Sequence, residues 1–152
     1  MAEGTETPVV HISVPGHTKS LALLRKIVTH VATIVGFPDH EVDKIEIAVD
    51  EACTNAMEHA YRTLTPPPPV ILNIHTSEDA LTVDIIDQGK AFDFESYIPP
   101  RFPDHWDAGH TRGVGLYLIL HCMDDMSYEQ LEDNSNRLRL VKHRNGACSA
   151  SA

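Results

Sequence analysis

Residues 50–61 read Asp-Glu-Ala-Cys-Thr-Asn-Ala-Met-Glu-His-Ala-Tyr, and three of them, Glu51, Asn55 and His59, could do chemistry together. They stand at i, i+4 and i+8, so on an α-helix they share one flank. Val42, Ile45, Val49, Ala52 and Ala56 repeat at the same period and mark the buried stripe of that helix. A carboxylate, an amide and an imidazole beside a core are costly unless something uses them. Glu51 has the chemistry of a base that takes a proton from an attacking hydroxyl. Magnesium takes oxygen ligands and keeps several waters, so the Asn55 amide oxygen is a candidate ligand. His59 could reach phosphate oxygens or simply hold the helix end. The competing reading is a polar flank on a partly exposed helix. The register that these residues share with Ala56 and Tyr61 disfavours it.

Two later segments give the helix a use. Asp87-Gln88-Gly89 closes an apolar run of Val83, Ile85 and Ile86. A carboxylate there can accept from the exocyclic amine of adenine, and Gly89 lets backbone approach the ring. An Asx turn closing a hairpin is the alternative, and Asp-x-Gly by itself favours that alternative. Thr111-Arg112-Gly113-Val114-Gly115-Leu116 enters an apolar helix. Free amides at a helix N-terminus bind anions, and Arg112 adds a phosphate-pairing charge. A flexible hinge is the alternative there. No Gly-Lys-Ser/Thr follows, which excludes a Walker P-loop. The glycines follow a long loop and not a strand, which disfavours a Rossmann fingerprint. His105, His110 and His121 match no zinc spacing, and no Cys pair supports them.

The elements that must position these residues follow from pattern. Residues 9–14 alternate and read as a strand. Leu21, Leu24, Val28, Val31 and Val35 mark an amphipathic helix with Thr18 or Ser20 as N-cap and Gly36 as its stop. Asp39 caps the second helix, which runs to about Arg62. Residues 66–69 are all proline and separate a helical half from a strand-rich half. Residues 70–76 and 81–87 read as a hairpin, joined at Glu78-Asp79. Residues 88–112 read as a mobile lid loop, and a loop of that length in a compact domain is usually functional. Residues 113–122 form a short helix, and 126–131 and 137–142 two further strands. The order β-α-α-β-β-loop-α-β-β gives an α/β fold, a two-layer α+β sandwich. Its sheet is mostly antiparallel and mixed, with helices packed on one face. Residues 1–8 are expected to be a flexible N-terminus, 9–142 a single domain and 143–152 a disordered tail.

The chain has 152 residues, 42% hydrophobic and 22% charged, with a net charge of −10. That charge argues against direct nucleic-acid binding and for a basic partner. No apolar run approaches the roughly 20 residues of a membrane span, so no membrane association is expected. No secretory signal is visible in the first residues. Cys53, Cys122 and Cys148 are odd in number and lack CxxC spacing, which fits a reducing cytoplasm.

Glu51-Ala52-Cys53-Thr54-Asn55-Ala56-Met57-Glu58-His59-Ala60-Tyr61 resembles the helix motif of the GHKL (Bergerat-fold) ATPases, in the form found in the anti-sigma-factor serine/threonine kinases of the RsbW and SpoIIAB type. Asp87-Gln88-Gly89-Lys90-Ala91-Phe92-Asp93 is similar to their Asp-x-Gly-x-x-Phe-Asp box. Arg112-Gly113-Val114-Gly115-Leu116 is similar to their second glycine box, with Met123-Asp124-Asp125 after it. Each motif alone is weak, and the ordered set, spanning 9–142, is specific. The resemblance implies a Bergerat ATP-binding fold and a cytoplasmic bacterial partner-switching kinase. Such a kinase binds Mg-ATP, holds a sigma factor or other regulator inactive, and phosphorylates a STAS-domain anti-anti-sigma factor. It implies Glu51 as base, Asn55 on magnesium, Asp87 on adenine, Gly89 beside the ring, and Gly113 with Gly115 at the phosphates. Ala91 departs from the second glycine of many relatives. A homodimer stays open. The alternative is a non-catalytic, nucleotide-responsive binding protein that sequesters a regulator, and Glu51 favours the kinase.

Overall fold

A computed structural model describes residues 8–93 and 114–144. The elements in chain order are β1 (Val10–Val14), a 3-10 turn (Thr18–Ser20), α1 (Leu21–Ile34), α2 (Asp39–Thr54), a π-helical turn (Asn55–Ala60), β2 (Val70–Thr76), β3 (Ala80–Asp87), α3 (Val114–Cys122), β4 (Asp125–Gln130) and β5 (Asn136–His143). The five strands lie in the order β1-β2-β3-β5-β4. Every neighbouring pair is antiparallel, so the expected mixed sheet is antiparallel throughout. Alternation along the central strands sends Val70, Leu72, Ile74, Leu81, Val83 and Ile85 to one face. There they form a single core with Leu24 and Val28 of α1, Ile45 and Val49 of α2, and Ile119 of α3. The result is two layers, helices on one face of a sheet.

The helix ends differ from expectation in ways the chemistry explains. Ser20 is the N-cap of α1, one of the two residues expected there, but its hydroxyl donates back to the Pro15 carbonyl at 2.8 Å and makes no side-chain cap bond. Pro38, not Asp39, is the N-cap of α2, and Asp39 sits in the first turn, where its charge suits the helix dipole. Gly36 ends α1 at φ +98°, and the Phe37 and Gly36 amides close onto Ala32 and Thr33 at 3.1 Å. That is a Schellman stop, which needs a residue free to adopt left-handed backbone. Val42, Ile45, Val49, Ala52 and Ala56 are all buried, as their spacing requires.

The second helix does not continue as α-helix to Arg62. From Asn55 it widens into a π-turn, with the Tyr61 amide bonded to the Ala56 carbonyl five residues back at 3.0 Å. Lys142, 5% exposed, closes the far end of the core. Its ammonium donates to the Cys122 carbonyl and pairs with Glu41, each at 2.7 Å, tying β5, α3 and the start of α2 together.

Candidate nucleotide site

Glu51 lies in the last turn of α2, and Asn55 opens the π-turn that follows. The start of α3 comes against both of them. A methyl group built on Gly115 would lie 2.8 Å from Glu51 Oε2 and 3.5 Å from both amide atoms of Asn55. Only a residue without a side chain lets the first turn of α3 approach so closely. The first amides of a helix have no intrahelical acceptor and carry partial positive charge, so this approach sets an anion-binding end beside a carboxylate and an amide. Burial pushes the Glu51 carboxyl above its ordinary range, and the charges of Asp50 and then Glu58 push it further. Asp50 is itself paired with Arg25 of α1 at 2.9 Å.

A second cluster forms at the other end of the π-turn. Asp87 ends β3, and its Oδ1 accepts from the Gly89 amide at 2.8 Å and from Asn136 Nδ2 at 3.0 Å. Both donors therefore fall on one carboxylate oxygen. Gly89 is required for a reason that the sequence did not show. A methyl group there would lie 2.5 Å from Ala60 Cβ and 2.6 Å from the Ala60 carbonyl oxygen, so the Asp-x-Gly turn seats directly on the last π residue. Tyr61, 3% exposed, holds the same turn. Its hydroxyl accepts from the Gln88 amide at 2.9 Å and donates to the Pro69 carbonyl at 2.8 Å. Burial, outweighing that hydrogen bond, raises the Tyr61 phenol above its ordinary range. Glu51 and Ala60 are nine residues apart, so at roughly 1.5 Å per residue the two clusters lie at most about 13 Å apart along one helix, the scale of an extended nucleoside triphosphate.

The remaining expected residues divide. His59 is exposed, and among the described residues its imidazole makes no hydrogen bond. The helix is regular α only as far as Thr54, and His59 stands within the π-turn that follows. Ala91 and Phe92 are exposed beyond the Asp-x-Gly turn, and the Phe92 amide donates to the Tyr128 hydroxyl at 2.9 Å. Val114 begins α3, and Leu116 is buried at 7% exposure. Thr111, Arg112 and Gly113 lie outside the described residues, as do His105, His110, most of the expected lid and the expected tail from 145 onward. Asn136 and Tyr61's hydroxyl were not foreseen as parts of the site. The signal for Asn136 is its place opposite Asp87 in the β3–β5 register. Cys53 is no candidate nucleophile, since burial and then the Asp50 charge push its thiol up to about 12. Among the described residues no three His, Cys, Asp or Glu side chains group as a metal cage. None of their helices is long and apolar enough to cross a membrane.

The family profile of histidine kinase-like ATPase domains matches residues 14–142. The chain is 31% identical over 147 residues to the serine-protein kinase RsbW of Bacillus velezensis, covering 93% of this chain and 89% of the relative. The RsbW of Bacillus subtilis matches at 31% over 142 residues, covering 90% and 86%. That of Bacillus licheniformis matches at 30% over 121 residues, covering 77% and 75%. Among solved structures, the histidine kinase domain of a blue-light-activated histidine kinase from Erythrobacter litoralis aligns with a TM-score of 0.50 at 14% identity. That alignment covers 85% of this chain and 61% of the other, and it speaks to the fold alone. With a carboxylate and a glycine-started helix at one end of a π-turn and an Asp-x-Gly turn at the other, this chain belongs to the histidine kinase-like ATPase family, in its RsbW serine-protein kinase branch.

Proposed function

We propose that this chain is an ATP-dependent serine/threonine protein kinase acting as an anti-sigma factor in a bacterial partner switch. In this reading it works in the cytoplasm, holds a sigma factor or similar regulator, and phosphorylates a STAS-domain antagonist. The observation that carries the catalytic part is the approach of Gly115 to Glu51 and Asn55.

The residues fit a magnesium nucleotide. Asp87 Oδ2 accepts no bond among the described residues and suits an exocyclic amine. The N-terminus of α3 suits phosphate oxygens. Asn55 offers one neutral oxygen, which suits a metal held otherwise by phosphates and water. When bound, Mg-ATP supplies the phosphoryl group and neutralises charge on it. Glu51 takes the proton from the serine or threonine hydroxyl as that oxygen attacks. Its desolvated carboxylate is a stronger base than an exposed one, which is the direction catalysis needs. A pure binding module would carry the cost of that partly buried carboxylate for no return.

The test is incubation of the full chain with γ-labelled ATP, magnesium and STAS-domain proteins from the same genome, with Glu51→Gln alongside. Label on one STAS protein with wild type, and loss of it with Glu51→Gln, is the expected result. Transfer by Glu51→Gln at the wild-type rate refutes the assignment.

A further inference from the structure

Asn136 opens β5 opposite Asp87, is 0% exposed, and has a hydrogen-bond pattern that stability does not explain. Its Nδ2 donates to Asp87 Oδ1 at 3.0 Å and to the Gly89 carbonyl at 2.9 Å. Both partners are acceptors, so the amide nitrogen has to face them. A flipped amide would set oxygen against two oxygens. The consequence falls on the other side of the group, where Oδ1 is buried and accepts nothing among the described residues. A buried acceptor without a donor is costly, and an apolar residue would avoid it. The fork therefore serves the turn that it holds.

Its effect on Asp87 is specific. The Gly89 amide and Asn136 Nδ2 both fall on Oδ1, and Oδ2 has no donor among the described residues. The second amide hydrogen holds the Gly89 carbonyl, so carboxylate and turn form one rigid unit braced on Ala60.

We propose that Asn136 is the positioning residue for base recognition: by saturating Oδ1 of Asp87 it fixes Oδ2 as the one acceptor shown to the base, selecting a 6-amino purine over a 6-oxo purine. An exocyclic amine donates to Oδ2, whereas a 6-oxo group sets oxygen against oxygen and leaves the carboxylate unpaired. This inference rests on the reading of the site as a nucleotide pocket.

The experiment titrates the full-length protein with Mg-ATP and Mg-GTP by calorimetry, for wild type, Asn136→Leu, Asn136→Asp and Asn136→Ser, with thermal melts of each. Leu keeps the branched outline, though larger, and removes both donors together with the orphaned oxygen. Asp keeps the shape and turns the donor into a third acceptor. Ser keeps one donor and carries the test if the Leu variant does not fold. Wild type is expected to prefer ATP. Asn136→Leu should lose about tenfold in ATP affinity, the scale of one hydrogen bond to a charged group, with GTP affinity unchanged. Asn136→Asp should lose more, and Asn136→Ser less. In phosphoryl transfer the KM for ATP should rise while kcat at saturating ATP holds, a split that a merely structural residue would not give. A wild type that binds no ATP overturns the nucleotide reading itself. A wild type that selects ATP, with folded variants that keep its ATP-to-GTP ratio, overturns only the role of Asn136.

Discussion

Gly115→Ala separates the geometry of the site from the stability of the fold. The added methyl would stand 2.8 Å from Glu51 Oε2, where ordinary contact begins at 3.4 Å, so the carboxylate has to give by about 0.6 Å. The obstructing atom is the tip of a flexible side chain, so Glu51 swings and the backbone stays. The Asn55 amide atoms, at 3.5 Å, stay in normal contact. Gly115 lies within α3 and outside the left-handed region, so alanine there is a better helix former by up to about 1 kcal/mol. The expected outcome is a protein as stable as wild type or slightly more so, with damaged chemistry. A misplacement near 1 Å costs about a hundredfold, so 0.6 Å should lower single-turnover transfer by roughly ten- to a hundredfold. Labelled transfer at saturating Mg-ATP reads the rate, calorimetry the nucleotide affinity, and a thermal melt the fold. Transfer within twofold of wild type would refute the contact between α3 and the base. A large drop in melting temperature would refute the claim that the carboxylate alone moves.

Glu51→Gln should lower transfer by about 10²–10⁴ with nucleotide affinity nearly kept. It should also raise the melting temperature at neutral pH. Glu51 is harder to ionise in the folded state, so its ionisation opposes folding, and the difference from wild type should vanish in acid, below the unfolded carboxylate pKa. Tyr61→Phe strips the Gln88 amide and the Pro69 carbonyl of a buried partner, and should cost about 1–3 kcal/mol in denaturant unfolding while weakening ATP binding through the Asp87 turn. Lys142→Ala removes the donor to the buried Cys122 carbonyl and leaves Glu41 with only the more exposed Lys44 and His40, and should cost about 1–3 kcal/mol by the same measurement. Lys142 also holds the Glu41 carboxyl below its ordinary range, so the stabilisation it gives is present at neutral pH and should fade as pH falls through that lowered value.

Much of this could be read from the chain itself. The order of elements follows from local periodicity, and Val42, Ile45, Val49, Ala52 and Ala56 are buried because helical spacing puts them on one side. The Glu51–Asn55 pair is likewise local, one helical turn apart. The π-turn is local in structure but silent in sequence: residues 55–60 contain no glycine or proline to mark it.

The amino-acid sequence by itself determined which residue types are available: a carboxylate and an amide one turn apart, an Asp-x-Gly turn after an apolar strand, and glycines at a helix start. Helix and strand period, and the backbone freedom of glycine, are properties of short segments, so short segments reveal them. Only the tertiary structure decided what these groups touch. Gly115 reaches Glu51 because α3 packs on α2 across 64 positions of chain, and Asn136 reaches Asp87 because β5 pairs with β3 across 49. Ala60, whose side chain has no chemistry of its own, sets the seat of the Asp87 turn. Such contacts depend on sheet order and helix docking, which burial of the whole core selects at once, and no local pattern carries that information.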